Sequence, residues 1–387
     1  MDFGTSDDHK RISSAVADLA AKFDDVYWEK HDRDHMFPWD FYDALAEAGW
    51  IGIAIPEQYG GGGLGLAEAG LVMQTIAASG AAMNGCTPLH LSVFGINVVT
   101  KHGSAALRAE VLPQVASGQL HTCFAVTEPD AGTDTSRIRT VARRDGDDYV
   151  INGRKVWISK AGQSQKAVLA ARTSPREDAE PMSGLSVFLV DMDSQGVQMS
   201  PIPKMGRNAV ASYEVTFDDV RVASERLIGT EGDGFRVLLD GLNPERILLA
   251  HESVGIGRAS VQLAVEYAKR RVVFARPIGQ NQAIAFPLAE AMARLDAAEL
   301  LCQKAAWLYD HGQGCGREAN AAKFLAADAA FFAADRAVQT LGGMGYAEEY
   351  PASRYFRESR LMRIAPVSQE LALAFLAQNV LKLPKSY

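Results

Sequence analysis

The feature that most constrains this chain is a double change in the spacing of its apolar residues, from a helical period to a period of two and back again. Residues 7 to about 120 read as helices, because SSAVADLAAKFDDVYWEK and PWDFYDALAEAG both place apolar residues at helical spacing. From about 121 to 230 the period becomes two: DDYVINGRKVWISK, KAVLAART, LSVFLVDM and SYEVTFDDVRV are short strands rich in Val, Phe and Ile, separated by turn residues. Asn152-Gly153 suits a tight hairpin, since both central positions of such a turn need positive φ. From about 233 the helices return and are long, in RILLAHESVGIGRASVQLAVEYAKRRVVFA, FPLAEAMARLDAAELLCQKAAWLYDHG and EANAAKFLAADAAFFAADRAVQTLGG. Short links between long helices predict an antiparallel bundle. The expected class is a multidomain α+β chain: a helical domain over 1–120, a middle antiparallel β domain over 121–230 and a helical bundle over 231–387.

Composition excludes more than it assigns. A formal charge of -8 leaves no basic footprint for nucleic acid or an anionic membrane. The start, MDFGTSDDHKR, carries charge where a signal peptide needs an apolar core. The uncharged stretch from Ala69 to Thr100 is long enough to span a bilayer. Ser79, Asn84, Gly85, Pro88, His90 and Asn97 interrupt it, so buried helices are expected there and no integral span. Cys86, Cys123, Cys302 and Cys315 are scattered, which predicts a reduced cytoplasmic protein with no structural metal. No G-x-G-x-x-G follows a strand to suggest a dinucleotide-binding βαβ unit. The glycine-dense IPEQYGGGGLG reads as a flexible surface turn.

Two segments carry candidate chemistry. In Phe124-Ala-Val-Thr-Glu-Pro-Asp-Ala-Gly-Thr-Asp134, small residues, hydroxyls and Gly132 let backbone N–H groups approach a flat polar ligand. A strand-to-turn transition would look the same. Further on, Lys155-Val-Trp157-Ile-Ser159 sets an aromatic beside a hydroxyl, able to flank a ring system, although a Trp is commonly core.

TEPDAGTD followed by NGRKVWIS resembles the acyl-CoA dehydrogenase family. EAGWIGIAIPEQYGG upstream, and RRVVFARPIGQNQAIAF and QTLGGMGYAEEYPASRYFRESR downstream, match in order and separation, so the likeness covers essentially the whole chain. It implies an N-terminal α domain, a middle β domain and a C-terminal four-helix bundle, assembled as a homotetramer that binds FAD. Phe124, Val126 and Thr127 would then lie along the isoalloxazine, and Thr133 at the flavin phosphates or substrate mouth. Trp157 and Ser159 would take the other side of the ring. Arg271, Phe274 and Gln282 would hold pyrophosphate and adenosine, partly across a subunit interface. Gln339, Gly342 and Gly343 would take the adenine end of a neighbouring subunit's FAD, while Ser368 and Glu370 fall at flavin-contact positions. A guanidinium meets phosphate oxygens two at a time, although within KRR Arg271 also reads as a solvated helix residue.

The chain departs from the family's commonest pattern at Pro366, which stands where most members present the catalytic glutamate. Proline is no base and has no N–H to polarise a thioester carbonyl. Asn243-Pro-Glu245-Arg246-Ile-Leu-Leu-Ala instead resembles the isovaleryl-type and long-chain-type branches, whose base sits on another helix. That makes Glu245 the candidate base with Arg246 beside it, and Glu370 the rival. Without the resemblance, Glu245 reads as a first-turn helix residue after Pro244, with Arg246 as a surface partner. The expected function is FAD-dependent α,β-dehydrogenation of an acyl-CoA, with electrons leaving through an electron-transferring flavoprotein. An oxidase, an enoyl-CoA reductase, a flavin monooxygenase-like relative and an idle FAD-binding subunit are the alternatives. The pocket floor is expected from Thr75 to Val99, where Gly80, Ala81, Ala82 and Gly85 are small enough to leave room.

Overall fold

Caps and aromatic contacts set the first layer. In the computed structural model, which describes residues 6–385, the N-terminal helices are α1 (Asp7–Ala20), α2 (Asp25–Arg33), α3 (Trp39–Glu47), α4 (Leu66–Ile76), α5 (Ala82–His90), α6 (Ile96–His102) and α7 (Ala105–Ala116). Ser6 and Asp24 open α1 and α2 by accepting the N–H of His9 and Tyr27, satisfying donors that a helix start leaves free. Trp28 and Phe41 meet edge to face at 5.0 Å inside the core that these helices share with the C-terminal bundle.

The run Leu66–His102 is long and apolar enough by length and composition to cross a membrane, but 61% of its most apolar window is buried inside the fold. Two π turns, Ala77–Ala81 and Leu91–Gly95, break it into three helices. At the first break Gly80 adopts φ 102°, a conformation L residues rarely reach. The small residues here do not leave room, contrary to the sequence expectation. A Cβ on Gly85 would lie 2.6 Å from the Ala81 methyl, so the small side chains are used for close packing. The glycine-dense loop is also more fixed than a flexible turn. Its Gly62, Gly63 and Leu64 N–H groups donate to the carbonyls of Gly52, Ile55 and Ile53 at 3.0, 2.9 and 3.0 Å.

The middle sheet contains β1 (Thr122–Ala125), β2 (Val141–Asp145), β3 (Asp148–Ser159), β4 (Lys166–Arg172), β5 (Leu185–Asp191), β6 (Val197–Pro201), β7 (Ser212–Ala223) and β8 (Leu227–Ile228). The strand order is β6-β7-β3-β2-β4-β5-β8, with β1 added beside β4. Two expectations are corrected. The sheet is not wholly antiparallel: β1 runs parallel to β4, and β2 touches β4 in parallel. Nor does Asn152-Gly153 turn a hairpin, because β3 runs straight through it and the turn is Gly146-Asp147, between paired Asp145 and Asp148. Asn152 instead exchanges hydrogen bonds with Asp219 on β7 at a register shift. A Cβ on Gly153 would come within 2.3 Å of the Thr140 hydroxyl, so its glycine serves close approach.

The C-terminal part is α8 (Gly234–Arg270), the small hairpin β9 (Val272–Val273) and β10 (Arg276–Pro277), α9 (Gln282–Asp310), α10 (Gly316–Leu341), α11 (Gly343–Tyr346), α12 (Ala352–Met362) and α13 (Gln369–Phe375). Gly257 lets α8 approach both Leu295 of α9 and Ala330 of α10. Asp310 closes the join to the N-terminal layer: its two carboxylate oxygens accept the Leu66 and Ala67 N–H at 2.7 and 2.9 Å, capping α4 from the end of α9.

Candidate active site

Glu245 lies in the interior of the 37-residue α8 rather than in a first turn, which removes the helix-start reading. The helix begins eleven residues earlier, at Gly234, and carries Pro244 inside it. Proline cannot donate to the carbonyl four residues back. The freed Asp240 carbonyl faces Asn97 Nδ2 at 3.4 Å, and the Asp240 carboxylate pairs with His102 at 2.7 Å, so α6 braces α8 at its proline. Glu245 is 8% exposed, and burial pushes its carboxyl from 4.5 up to about 7, against the pull of His90, Arg246 and Lys323. Arg246 is half-buried rather than a surface partner: one guanidinium nitrogen donates to Asn243 at 3.2 Å, and Nε has no partner among the described residues. Lys323 of α10 is buried with Nζ likewise unpartnered, and burial lowers its pKa to about 8. Glu370, the rival base, is exposed in the first turn of α13, and Ser368 is spent as that helix's cap, accepting the Leu371 N–H at 3.2 Å. Pro366 is exposed beside them.

The β domain presents a second set of groups. Phe124 packs on Phe94 at 5.1 Å, and the Thr127 carbonyl accepts the Val156 N–H at 2.9 Å, so the exit of β1 is tied to the segment holding Trp157 and Ser159. The loop that follows is closed by Glu128, a residue the motif contains but the sequence reading left without a role. Glu128 pairs with Ala131 through both backbone bonds, and its carboxylate accepts Arg139 N, Thr140 N, the Thr140 hydroxyl and the fully buried Lys155 ammonium. Lys155 also donates to the Val126 carbonyl at 3.0 Å. Burial opposes charge on Glu128, but Lys155 and the other donors outweigh it and hold the carboxyl below its usual range. Burial lowers the Lys155 ammonium to about 8 despite that partner. Thr133 stays exposed on the loop beyond, and Gly132 has open space around it.

A third group escaped the sequence reading entirely. Arg207, at φ 57°, reaches into the interior and donates to the hydroxyls of Ser159 and Ser212 at 2.8 and 3.0 Å. Lys204 holds its loop by donating to the Gly206 and Arg207 carbonyls, while Asp32 and Asn84 accept the next two N–H groups. Nearby, His90 and the fully buried Glu252 pair at 2.8 Å; burial resists charge on the imidazole, but Glu252 prevails and raises its pKa. No local pattern announces this cluster, because its members come from α5, the loop before β7 and α8.

The chain places the remaining predicted residues elsewhere. Arg271 follows Glu245 by 26 residues, about 39 Å along a helix rising 1.5 Å per residue. Leu341 and Ala337 pack with Ala264 and Leu288, so the ends of α8 and α10 meet at that far end of the bundle. Arg271, Phe274 and Gln282 therefore share one end with Gln339, Gly342 and Gly343, and within one chain they are remote from Glu245. Phe274 is 96% exposed and Tyr346 88%.

The residues fit FAD. Trp157 stands out of β3 with φ 63° and is 55% exposed, an indole face left bare beside the segment tied to Thr127. Phe124, Val126, Thr127, Trp157 and Ser159 are brought together as the resemblance implies, and the open space at Gly132 leaves the loop backbone approachable.

Comparison with known proteins agrees with this architecture. Family models for the acyl-CoA dehydrogenase N-terminal, middle and C-terminal domains match residues 6–119, 123–220 and 232–381. The acyl-CoA dehydrogenase FadE12 of Mycobacterium tuberculosis is 39% identical over 100% of this chain and 99% of its own length. A glutaryl-coenzyme A dehydrogenase in complex with glutaryl-CoA superposes with a TM-score of 0.95 at 30% identity, over 100% of this chain and 98% of that one. A chain in a structure of the electron transferring flavoprotein of Acidaminococcus fermentans gives a TM-score of 0.93 at 31% identity, over 99% and 100%. With all three domain models matched in order across the same three structural layers, the chain belongs to the acyl-CoA dehydrogenase family, FAD-dependent oxidoreductases acting on acyl-CoA.

Proposed function

We propose that this enzyme converts an acyl-CoA thioester to the trans-2-enoyl-CoA, with Glu245 as the base. The observation that carries the reading is a buried, unpaired carboxyl on α8 in a chain whose Pro366 offers none. Its pKa near 7 suits a base that must be ionised at neutral pH yet basic enough to take a proton from carbon. Glu245 takes the α proton, the β carbon loses a hydride, and the C=C bond forms between them. Bound FAD would supply the two-electron acceptor for that hydride, held by Phe124, Val126, Thr127, Trp157 and Ser159. Arg246 and Lys323 keep positive charge beside Glu245 and favour its ionised form. The Glu128–Lys155 pair fixes the Val126–Thr127 backbone, and the buried walls exclude water.

The far-end groups, Arg271, Phe274, Gln282, Gln339, Gly342 and Gly343, serve a site completed by another copy of the chain, in a homotetramer. An electron-transferring flavoprotein takes the electrons onward, as the similarity to the Acidaminococcus fermentans structure suggests; a cytoplasmic setting suits four free, buried thiols. Anaerobic stopped-flow mixing of the purified yellow protein with a series of acyl-CoAs should bleach the flavin. Bleaching accompanied in air by stoichiometric O₂ uptake would make it an oxidase. No bleaching by any thioester would leave an idle FAD-binding subunit.

A further inference from the structure

Glu245 and Glu252 lie seven residues apart on α8, nearly two full turns, so they share one face and stand about 10 Å apart along the axis. An acyl chain whose α carbon meets Glu245 and which follows that face arrives at Glu252. What it meets there is polar. His90 pairs with Glu252 at 2.8 Å and stacks toward Phe94 at 4.8 Å, and Phe94 in turn contacts Phe124 at 5.1 Å on the proposed flavin side. From the β domain, Arg207 is fixed through Ser159 and Ser212, close enough to Glu252 and Glu358 for their charges to act on it, but in a salt bridge with neither. Glu252 Oε2, Glu358 Oε1 and Arg207 Nε are all buried and without a hydrogen-bond partner among the described residues, and Glu252 and Glu358 are fully buried as residues.

An alkyl chain ending here would leave a donor and acceptors dry, each a desolvation penalty. A distal carboxylate would suit Arg207 but would face Glu252. A hydroxyl accepts from Arg207 and donates to a carboxylate oxygen, so it matches both kinds of orphan. Resting on the dehydrogenase reading above, we propose that the substrate is a hydroxylated acyl-CoA, its distal hydroxyl held between Arg207 and Glu252. Arg207 and Glu252 are thus specificity-determining residues, remote from the bonds that change.

The test compares hexanoyl-CoA, 6-hydroxyhexanoyl-CoA and adipoyl-CoA in anaerobic flavin reduction. Calorimetric titration of the three corresponding 3-thia thioesters, which cannot deliver the hydride, measures binding alone. The wild type should favour the hydroxy compound over the alkyl one by at least about 10-fold in kcat/KM and in Kd, as sites built to bond a hydroxyl reject its absence. In Arg207→Met that ratio should fall toward one. Equal handling of hydroxy and alkyl thioesters by the wild type, or preference for the alkyl or the dicarboxylic one, overturns the proposal even if Arg207→Met does not fold. A wild-type preference that survives unchanged in a folded Arg207→Met overturns the role of Arg207. If no thioester reduces the flavin, the dehydrogenase reading itself falls, and this inference with it.

Discussion

Glu245→Gln should do two opposite things to the same protein. The wild-type carboxyl titrates near 7 in the fold and near 4.5 when unfolded, because burial dominates over the cations Arg246, Lys323 and His90. Between those values the native state holds a proton that the unfolded chain has released, so stability falls as pH rises through this window. At 1.36 kcal/mol per pH unit, the climb from 4.5 to about 7 means that the ionised carboxylate costs the fold about 3 kcal/mol above neutrality. Glutamine keeps the shape and never ionises. The variant should therefore be more stable than wild type at pH 8, by about 1–3 kcal/mol, with the advantage shrinking below about 1 kcal/mol at pH 5. Flavin reduction by acyl-CoA should meanwhile fall by about 10²–10⁴ at pH 8. Guanidinium denaturation followed by circular dichroism at both pH values gives the first quantity, and anaerobic stopped-flow the second. A variant that is less stable at pH 8, or whose advantage is the same at pH 5, refutes the reasoning about burial. One that reduces flavin at the wild-type rate refutes the base.

Lys155→Met removes one partner of a buried ion pair, which typically costs about 3–5 kcal/mol. Because Glu128 keeps three other donors, the loss should sit at the lower end, about 3 kcal/mol, and the FAD-to-protein absorbance ratio should drop as Val126 loses its tether; unchanged stability and FAD content would make the pair incidental. Light scattering should report about 167 kDa for four chains of 41.8 kDa, and Phe274→Asp should lower it together with FAD content, whereas a wild-type value near 42 kDa removes the shared-site reading.

The layers were legible because periodicity is a local property, and long runs such as those now seen as α8, α9 and α10 repeat it many times. The base was legible only through resemblance: the local sequence Asn243-Pro-Glu245 imitates a helix start, and nothing in it reveals the ten helical residues before Pro244. Asn152-Gly153 misled for the same reason. The dipeptide permits a turn, but pairing with Asp219 and the pressure of Thr140 on Gly153 are long-range contacts, and Gly146 supplied a turn first. Arg207 was invisible because its role depends on where residues from distant segments converge, and an arginine in a loop reads as solvated until its neighbours are known. Small residues at Gly80 to Gly85 suggested space; only the distances show that neighbouring atoms had already filled it.

The brace on α8 has a consequence for how this sequence can change over time. Pro244 leaves the Asp240 carbonyl without its helical donor, and Asn97 stands in for it from another helix. Asn97 is therefore of value only while position 244 is proline, and proline is tolerable only while position 97 can donate. An ancestor with alanine at 244 would have found Asn97 neutral, so the asparagine had first to drift in as a silent substitution before the proline could follow. Once both were present, reverting either alone became harmful. The two positions, 147 residues apart in the chain, form an evolutionary ratchet that holds the residue next to Glu245 in place.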